Sequence, residues 1–438
     1  MDLEGFTRRR LLKVSRENLK LELLNVLKVY KNLGERELEI IAEAVIEEVE
    51  RSKVPDDLRW LFSYPISGIS MNELGVGSRG EGDFHLHRKL SSLLSDEKAV
   101  VSPKDQDDAG VVEIDGKYLV VSVDGTHSRL SEFPFLAGFH VTRAAVRDVF
   151  VMGAKPHALL CDLHLADDGE VSKLLDFMGG VSVVSEFLGI PLVAGSTLRI
   201  GGDMVIGDRM VSCVGCVGIA EKLTPRRNAM EGDVILMTEG AGGGTITTTA
   251  IFSGNHHVAL ETINLDFSLS MLELLKHRLY GVHALTDVTN GGLRGDCLEI
   301  SKNSRIDIFL NGKKIEELIN EKVLKLLKKL QIDPLGVSID SLLIIASPDS
   351  EEELKRIIRK IGVKIERIGF VRKSSNPKVY LDEKELKPKF RESAYTKIKK
   401  IYGEKTPDDF EEMKMRVEEA LGEVERKKKT FLRLLSKR

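Results

Sequence analysis

Residues 103–127 read PKDQDDAGVVEIDGKYLVVSVDGTH, and the folding of this stretch decides where the rest of the chain must go. AGVVEI and YLVVSV are short runs rich in β-branched residues, the composition of strands with a packed, pleated face. Asp115-Gly116 lies between them, and an Asp-Gly pair flanked by such runs signals a hairpin turn. The hairpin puts Asp107 and Asp108 just before its first strand and Asp124 at the end of its second. Carboxylates at a sheet rim serve active sites, and they serve ordinary turns as well. Their meaning depends on what the remaining chain brings to the same rim.

The chain has 438 residues, more than one average domain, and 42% of them are apolar, enough for proper cores. A net charge of −3 gives no sign of a nucleic-acid or membrane surface. No apolar run approaches the length of a membrane span. The opening MDLEGFTRRRLLKVSRENLKLE lacks the uncharged core of a signal peptide, so a cytoplasmic location is expected. Four cysteines are too few for a disulfide framework in a chain of this size. Cys213 and Cys216 form a CxxC inside MVSCVGCVGIA, but in a strand their side chains face opposite ways and no second CxxC exists. They read as buried small residues.

Residues 1–66 read as a helical extension, with Leu, Ile and Val at helical spacing on either side of Gly34. Residues 67–222 and 223–373 read as two α/β domains of glycine-punctuated strands and helices, divided within GIAEKLTPRRNAMEGDVILMT. Residues 374–438 are charged and mostly helical, with Phe410, Met413, Val417, Leu421 and Val424 on one face of the last helix. The two ends are expected to clasp the body or a partner subunit.

Four further elements join the rim acids. HVTRAAVRDVFVMGAKPHALLCDL is a helix carrying Arg143, Arg147 and Asp148, followed by a strand. IPLVAGSTLRIGGD is an apolar strand expected to empty into a hydroxyl-bearing turn at Gly195, Ser196 and Thr197. In TEGAGGGTITTTAIFSG, Gly240 and Gly242 to Gly244 free the backbone to bend, and TITTTAIF reads locally as a strand. HALTDVTNGGLRGDCLEIS is a strand, then Asp287, then Gly291 and Gly292 opening a helix whose free N–H groups suit an anion. No GxxxxGK[ST] is present, and GVGSRG at 75–80 fits GxGxxG without the apolar strand that a dinucleotide fold requires before it. Repeated Asp at strand ends, basic residues and several glycine cradles are together what a polyphosphate with Mg²⁺ needs. Without a cation, clustered carboxylates repel and raise one another's pKa.

In their order along the chain, DDAGVV, VSVDGTH, AAVRDVFVMGAKP, LVAGST, EGDVILMTEGAGGG and HALTDVTNGGL resemble the AIR synthase superfamily, from about residue 75 to 372. That superfamily also holds formylglycinamidine ribonucleotide amidotransferase, selenophosphate synthetase, thiamine-monophosphate kinase and the hydrogenase maturation protein that dehydrates a carbamoyl group. The resemblance implies an α/β (α+β) fold of two domains, with ATP held by the first. It also implies a homodimer through strands of that domain, with nucleotide sites at the subunit interface. The Mg²⁺-binding acids it implies are Asp107 or Asp108, Asp124 and Asp148, with Asp287 from the second domain. The glycine-rich segment covering the phosphates corresponds to Gly75, Gly77 and Gly80, and Arg79 is its basic contact. Thr126, Gly195, Ser196, Thr197, Gly242, Gly243, Gly291 and Gly292 complete the implied nucleotide contacts. For TITTTAIF the resemblance implies a helix in place of the strand.

Departures narrow the chemistry. The glycine segment has neither the reactive Cys nor the Lys of selenophosphate synthetase, and the chain ends LLSKR where the hydrogenase maturation protein ends in cysteine. AGST stands where AIR synthase has Gly-Gly-Glu-Thr, and Ser196 stands where the kinase commonly has an acid. The expected activity is transfer of the γ-phosphoryl group of ATP to an oxygen of an unidentified small molecule, with Asp124, His127 and Arg79 as catalytic candidates. His127 reads either as an acid/base or phosphate contact or as a partly exposed turn histidine. His256, His257 and His283 read as structural. The alternative is a noncatalytic ATP-binding subunit that recruits a partner protein.

Overall fold

The computed structural model describes residues 1–127, 129–392 and 394–436. Strand β1 (Ala99–Val101) leads into the expected hairpin of β2 (Gly110–Ile114) and β3 (Lys117–Gly125). Asp115 and Gly116 both take left-handed backbone, φ 51° and 75°, the geometry of a two-residue turn that matches strand twist. Strands β4 (Lys155–Leu165), β5 (Leu192–Arg199) and β6 (Met210–Ala220) complete a six-stranded sheet in the order β1-β2-β3-β6-β4-β5. One face buries Val111, Val120, Leu159 and Val214 against Val146, Val149 and Phe150 of the helix Pro134–Val151. A second helix, Ser172–Leu188, lies on the first. Their contact is so close that a Cβ on Gly138 would sit 2.1 Å from the Phe177 carbonyl oxygen. The opposite face leaves Val121, Val123, Leu198 and Val211 exposed. Cys213 and Cys216 occupy opposite faces of β6, with Cys216 buried.

The second sheet comprises β7 (Val234–Thr238), β8 (Val282–Asp287), β9 (Ile306–Leu310), β10 (Leu342–Ala346), β11 (Ile365–Lys373), β12 (Val379–Leu381) and β13 (Lys384–Glu385). Its order is β13-β12-β9-β11-β7-β10-β8. VILMT and LLIIA are continuously apolar because β7 and β10 are covered on both faces. Val234, Leu236, Leu342 and Ile344 share one core with the first sheet's helices, and Ile235, Met237, Leu343 and Ile345 pack into another. Strands β12 and β13 lie past residue 373, so the second sheet outruns the expected boundary there.

Two local readings change. TITTTAIF is helical, Gly244–Phe252, as the resemblance implied and against its β-branched content. The Thr248 and Thr249 hydroxyls donate to the carbonyls of Gly244 and Thr245 at 2.7 and 2.8 Å, an outlet that makes threonine tolerable in a helix. AGST forms no turn. Gly195, Ser196 and Thr197 pair with Cys161, Asp162 and Leu163 of β4, and the chain bends later, at Gly201 and Gly202 (φ 60° and 56°).

Both ends clasp the body. The helices Leu3–Leu11, Arg16–Tyr30 and Glu35–Arg51 form their own core around Leu19, Leu23, Leu27 and Ile46, closed by Ile206 from the loop before β6. The C-terminal segment turns back over residues 72–81, where Arg391 donates to the carbonyls of Asn72 and Glu73 at 2.5 and 3.0 Å. Among the described residues no helix is long and apolar enough to cross a membrane.

The two lobes meet at Arg226, which is 1% exposed. Its backbone N–H donates to Asp107 at 3.0 Å, and its guanidinium donates to the Gln106 carbonyl and Thr286 hydroxyl, both at 3.2 Å. The same guanidinium ion-pairs with Asp108, Asp296 and Glu299. Removing a cation that holds buried acids leaves them uncompensated, at a cost of about 3–5 kcal/mol. Arg226→Met is therefore expected to lower the apparent melting temperature strongly at pH 7.5, in a scan followed by circular dichroism. Unchanged melting would show that the ion cluster does not hold the lobes together.

Candidate active site

Asp107, Asp108, Asp124 and Asp148 all line one cavity of about 720 Å³ between the lobes. The hairpin brings the first three to the sheet rim, as its register requires. Asp148 comes from the helix that runs beneath the sheet, one residue beyond Arg147. Gly77 and Arg79 close the cavity from the N-terminal side, and Thr126 and His127 from the end of β3.

Burial and mutual repulsion dominate the electrostatics. Burial pushes Asp107 up to about 7, with Asp108 adding to the rise and Arg226 opposing it. Asp124 is raised to about 6 by burial, then by Asp340 and Asp108, against Arg147 and Arg79. Asp148 rises well above the ordinary carboxylate range through burial and the charges of Asp124, Asp287 and Asp108. Asp107 and Asp108 are tied to Arg226. Asp124 and Asp148 make no ion pair within the described residues. This acid set is short of positive charge, a property that suits a divalent cation. Among the described residues no three His, Cys, Asp or Glu side chains are grouped to hold a metal ion by themselves. Mg²⁺ takes one or two carboxylates and completes its shell with water and phosphate oxygens, so the donor set fits it.

Several expected contacts lie elsewhere. Asp287 sits under the cavity, 1% exposed, with Arg147 Nε 3.2 Å from its carboxylate. Gly195, Ser196 and Thr197 are on the outer edge strand and do not line this cavity. Gly75 borders a separate small crevice with Arg391 and Tyr402. Gly80 caps the helix Glu81–Ser92 with no room for a side chain, since a Cβ would stand 2.2 Å from the Phe390 carbonyl oxygen. Gly242 and Gly243 make space for the 338–340 segment, where a Cβ on Gly243 would meet an Asp340 oxygen at 2.4 Å. The glycine that faces the cavity there is Gly244. Gly291, at φ 95°, backs Arg79, while Gly292 packs on the Leu335–Gly336 backbone. Their neighbours Thr289 and Asn290 line the cavity instead.

Arg79 is half-buried, over the Phe84 ring and 3.4 Å from Glu299. His127 is partly exposed, as a turn histidine would be, but its ring is not free. Its Nε2 hydrogen-bonds the Tyr395 hydroxyl and its Nδ1 lies 3.1 Å from the Thr248 hydroxyl. Burial, then Lys399 and Arg129, push it down to about 4, so the ring is neutral at pH 7. His283 pairs with Asp233 at 2.9 Å, outside the cavity.

Sequence reasoning missed Asp340, Arg129, Tyr395 and Lys399, all lining the cavity. Asp340 has left-handed backbone, φ 55°, accepts from Ser338 at 2.6 Å and ion-pairs with Arg143 and Arg147. Burial works against its charge, and the two arginines outweigh burial and hold it below the usual carboxylate range. Its signal was a lone acid in the apolar run GVSIDSLLIIA. Tyr395 and Lys399 lie in the charged tail with no motif around them.

Residues 106–220 match the family model described as AIR synthase related protein, N-terminal domain, and residues 230–382 match that of the C-terminal domain. An uncharacterized protein of Methanocaldococcus jannaschii is 49% identical over 452 residues, spanning 100% of this chain and 99% of that protein. Selenide, water dikinase of Pseudomonas straminea is 27% identical over 228 residues, or 50% of this chain and 60% of that enzyme. The solved structure of hydrogenase maturation protein HypE in complex with ATP is similar in fold, with TM-score 0.54 at 18% identity over 77% of this chain and 96% of that one. AaThiL complexed with AMPPCP and TMP gives TM-score 0.54 at 20% identity over 72% and 96%. With both domain models matched in order across the lobes that enclose the cavity, and a relative alike from end to end, the chain belongs to the AIR synthase related protein family.

Proposed function

We propose that the chain is a Mg²⁺-dependent, ATP-binding enzyme that transfers the γ-phosphoryl group to an oxygen of a small molecule, as a kinase or as a ligase or dehydratase that activates its substrate with phosphate. The observation that carries this reading is the convergence of Asp107, Asp108, Asp124 and Asp148 with Arg79 and Gly77 on one cavity. Relatives by fold include proteins solved with ATP and with AMPPCP, which supports a nucleotide as the occupant. The exposed Val121, Val123, Leu198 and Val211 on the open sheet face support pairing of two chains through that face.

When bound, the cation supplies the charge that the acids lack and polarises the transferring phosphoryl group. Asp124 and Asp148 would hold it, their carboxylates being available because no arginine is ion-paired to either among the described residues. Arg79 remains charged, since Glu299 and Asp296 more than offset burial, and it would donate to phosphate oxygens. The Gly77 backbone, at φ 81°, lets the chain approach the phosphates without a side chain between. His127 is neutral with both nitrogens engaged, so its task is to hold Tyr395 at the cavity wall.

Calorimetry with AMPPCP tests the reading. Saturable uptake is expected with Mg²⁺ and little without it, and a ligand at about 100 times its Kd stabilises the fold by about 2.7 kcal/mol. Asp124→Asn or Asp148→Asn is expected to weaken magnesium-nucleotide binding about tenfold or more, or about 1.4 kcal/mol. The metal-free variants should melt no lower than the parent, because a buried carboxyl crowded by other acids is replaced by a neutral amide. Undiminished binding in both variants would contradict the assignment.

A pH dependence follows from Asp107 and Asp124. Their raised pKa values, about 7 and about 6, mean that the stability they contribute is present in acid and lost as pH rises through that window. A cation requires the ionised forms. The melting shift given by magnesium-AMPPCP should therefore be larger near pH 8 than near pH 5.5. An equal shift at both would indicate that Asp124 is not a ligand.

A further inference from the structure

Residues 389–392 and 394–403 form a stretch that brings two groups to the cavity which the reading above does not use. It is firmly seated: Arg294 donates to Glu392 at 2.6 Å, both buried, and Arg391 grips the carbonyls of residues 72 and 73. Tyr395 is 7% exposed and bonded to His127. One turn later Lys399 projects its ammonium over the Tyr395 ring, 4.0 Å from the centroid, and lines the cavity. Arg129, just past β3, also lines it, with its guanidinium 3.5 Å from the centroid of Phe252.

These two cations differ from the others in the cavity. Arg79 has Glu299, and Arg147 has Asp287 and Asp340. Neither Lys399 nor Arg129 has a carboxylate within ion-pair distance among the described residues. Each is met by an aromatic face, which holds a cation in place without neutralising it. Burial lowers Lys399 to about 8, and the carboxylate that opposes this is Asp83, already accepting from the Arg79 N–H at 2.8 Å. Two partly buried cations on aromatic supports, both lining one cavity, are complementary to an oxyanion.

We propose that Lys399 and Arg129 form a second anion subsite in the cavity, apart from the acid-lined nucleotide subsite, which receives a carboxylate or phosphate group of the acceptor substrate. The subsite stands on the geometry alone, and its assignment to the acceptor rests on the nucleotide reading. The acceptor is thereby narrowed to small molecules carrying an oxyanion. The C-terminal extension becomes a part of substrate recognition.

Orthophosphate and succinate, titrated separately into the full chain by calorimetry, distinguish the two oxyanions. Each titration is run on nucleotide-free protein and on protein saturated with magnesium-AMPPCP. At least one anion is expected to bind saturably in both forms. Lys399→Met and Arg129→Met should each weaken it about tenfold or more, Lys399→Arg should retain it within about threefold, and AMPPCP affinity should change less than about threefold. Melting curves of the variants check folding, and the second Met variant decides the matter if the first does not fold. The proposal is overturned if neither anion saturates, or if both Met variants bind as the parent does. It is also overturned if AMPPCP abolishes anion binding and loses affinity alongside it, since the cations then belong to the triphosphate. Should AMPPCP fail to bind at all, the nucleotide reading falls, while the nucleotide-free titrations still decide the subsite.

Discussion

The structure depends on gathering carboxylates from two lobes into one poorly solvated junction and on the limited number of arginines there to balance them. Asp107, Asp108, Asp296 and Glu299 surround Arg226, while Asp287 and Asp340 surround Arg147 with help from Arg143. Asp124 and Asp148 face the cavity without such a partner. An isolated buried charge is costly, and groups in this position shift their pKa or wait for a counter-ion. The arginines thus serve stability and leave a defined deficit of positive charge at the cavity. The same division explains why Asp287 and Asp340 are poor candidates for direct metal contact despite lying close by.

Much of this was legible in the chain. The Asp115-Gly116 turn fixed the register that puts Asp107, Asp108 and Asp124 at one rim, and helical spacing after residue 134 put Asp148 near Arg147. What failed was local inference where tertiary contacts decide. Ser196 looked like a turn residue, yet β4 offers its whole edge and the strand continues to Arg199. Gly80, Gly242 and Gly243 looked like phosphate cradles, and close approach of neighbouring backbone and of Asp340 accounts for them. Lys399 and Tyr395 carried no signal because their proximity to His127 arises from a fold-back across more than half the chain. No periodicity or motif encodes such a contact.

The extensions add to the family fold rather than decorate it. At one end, Lys31 pairs with Asp167 and Asp168 and the N-terminal helices close over Ile206, beside the edge strand β5. At the other, Phe390 and Phe410 pack edge to face with centroids 5.0 Å apart, and Lys428 donates to the Leu93 carbonyl at 2.5 Å. That clasp holds Gly77 and Arg79 against the cavity mouth. In this arrangement the glycine segment is a wall whose position depends on residues near 390.

The central claim is that Asp124 and Asp148 hold a cation that escorts a triphosphate. A crystal structure of the full chain with Mg²⁺ and AMPPCP tests it most directly. Carboxylate oxygens of these two residues would lie in the magnesium shell, directly or through a single bridging water, with phosphate oxygens completing it. A nucleotide bound outside the lobe junction, or an occupied cavity whose magnesium ignores both aspartates, would contradict it.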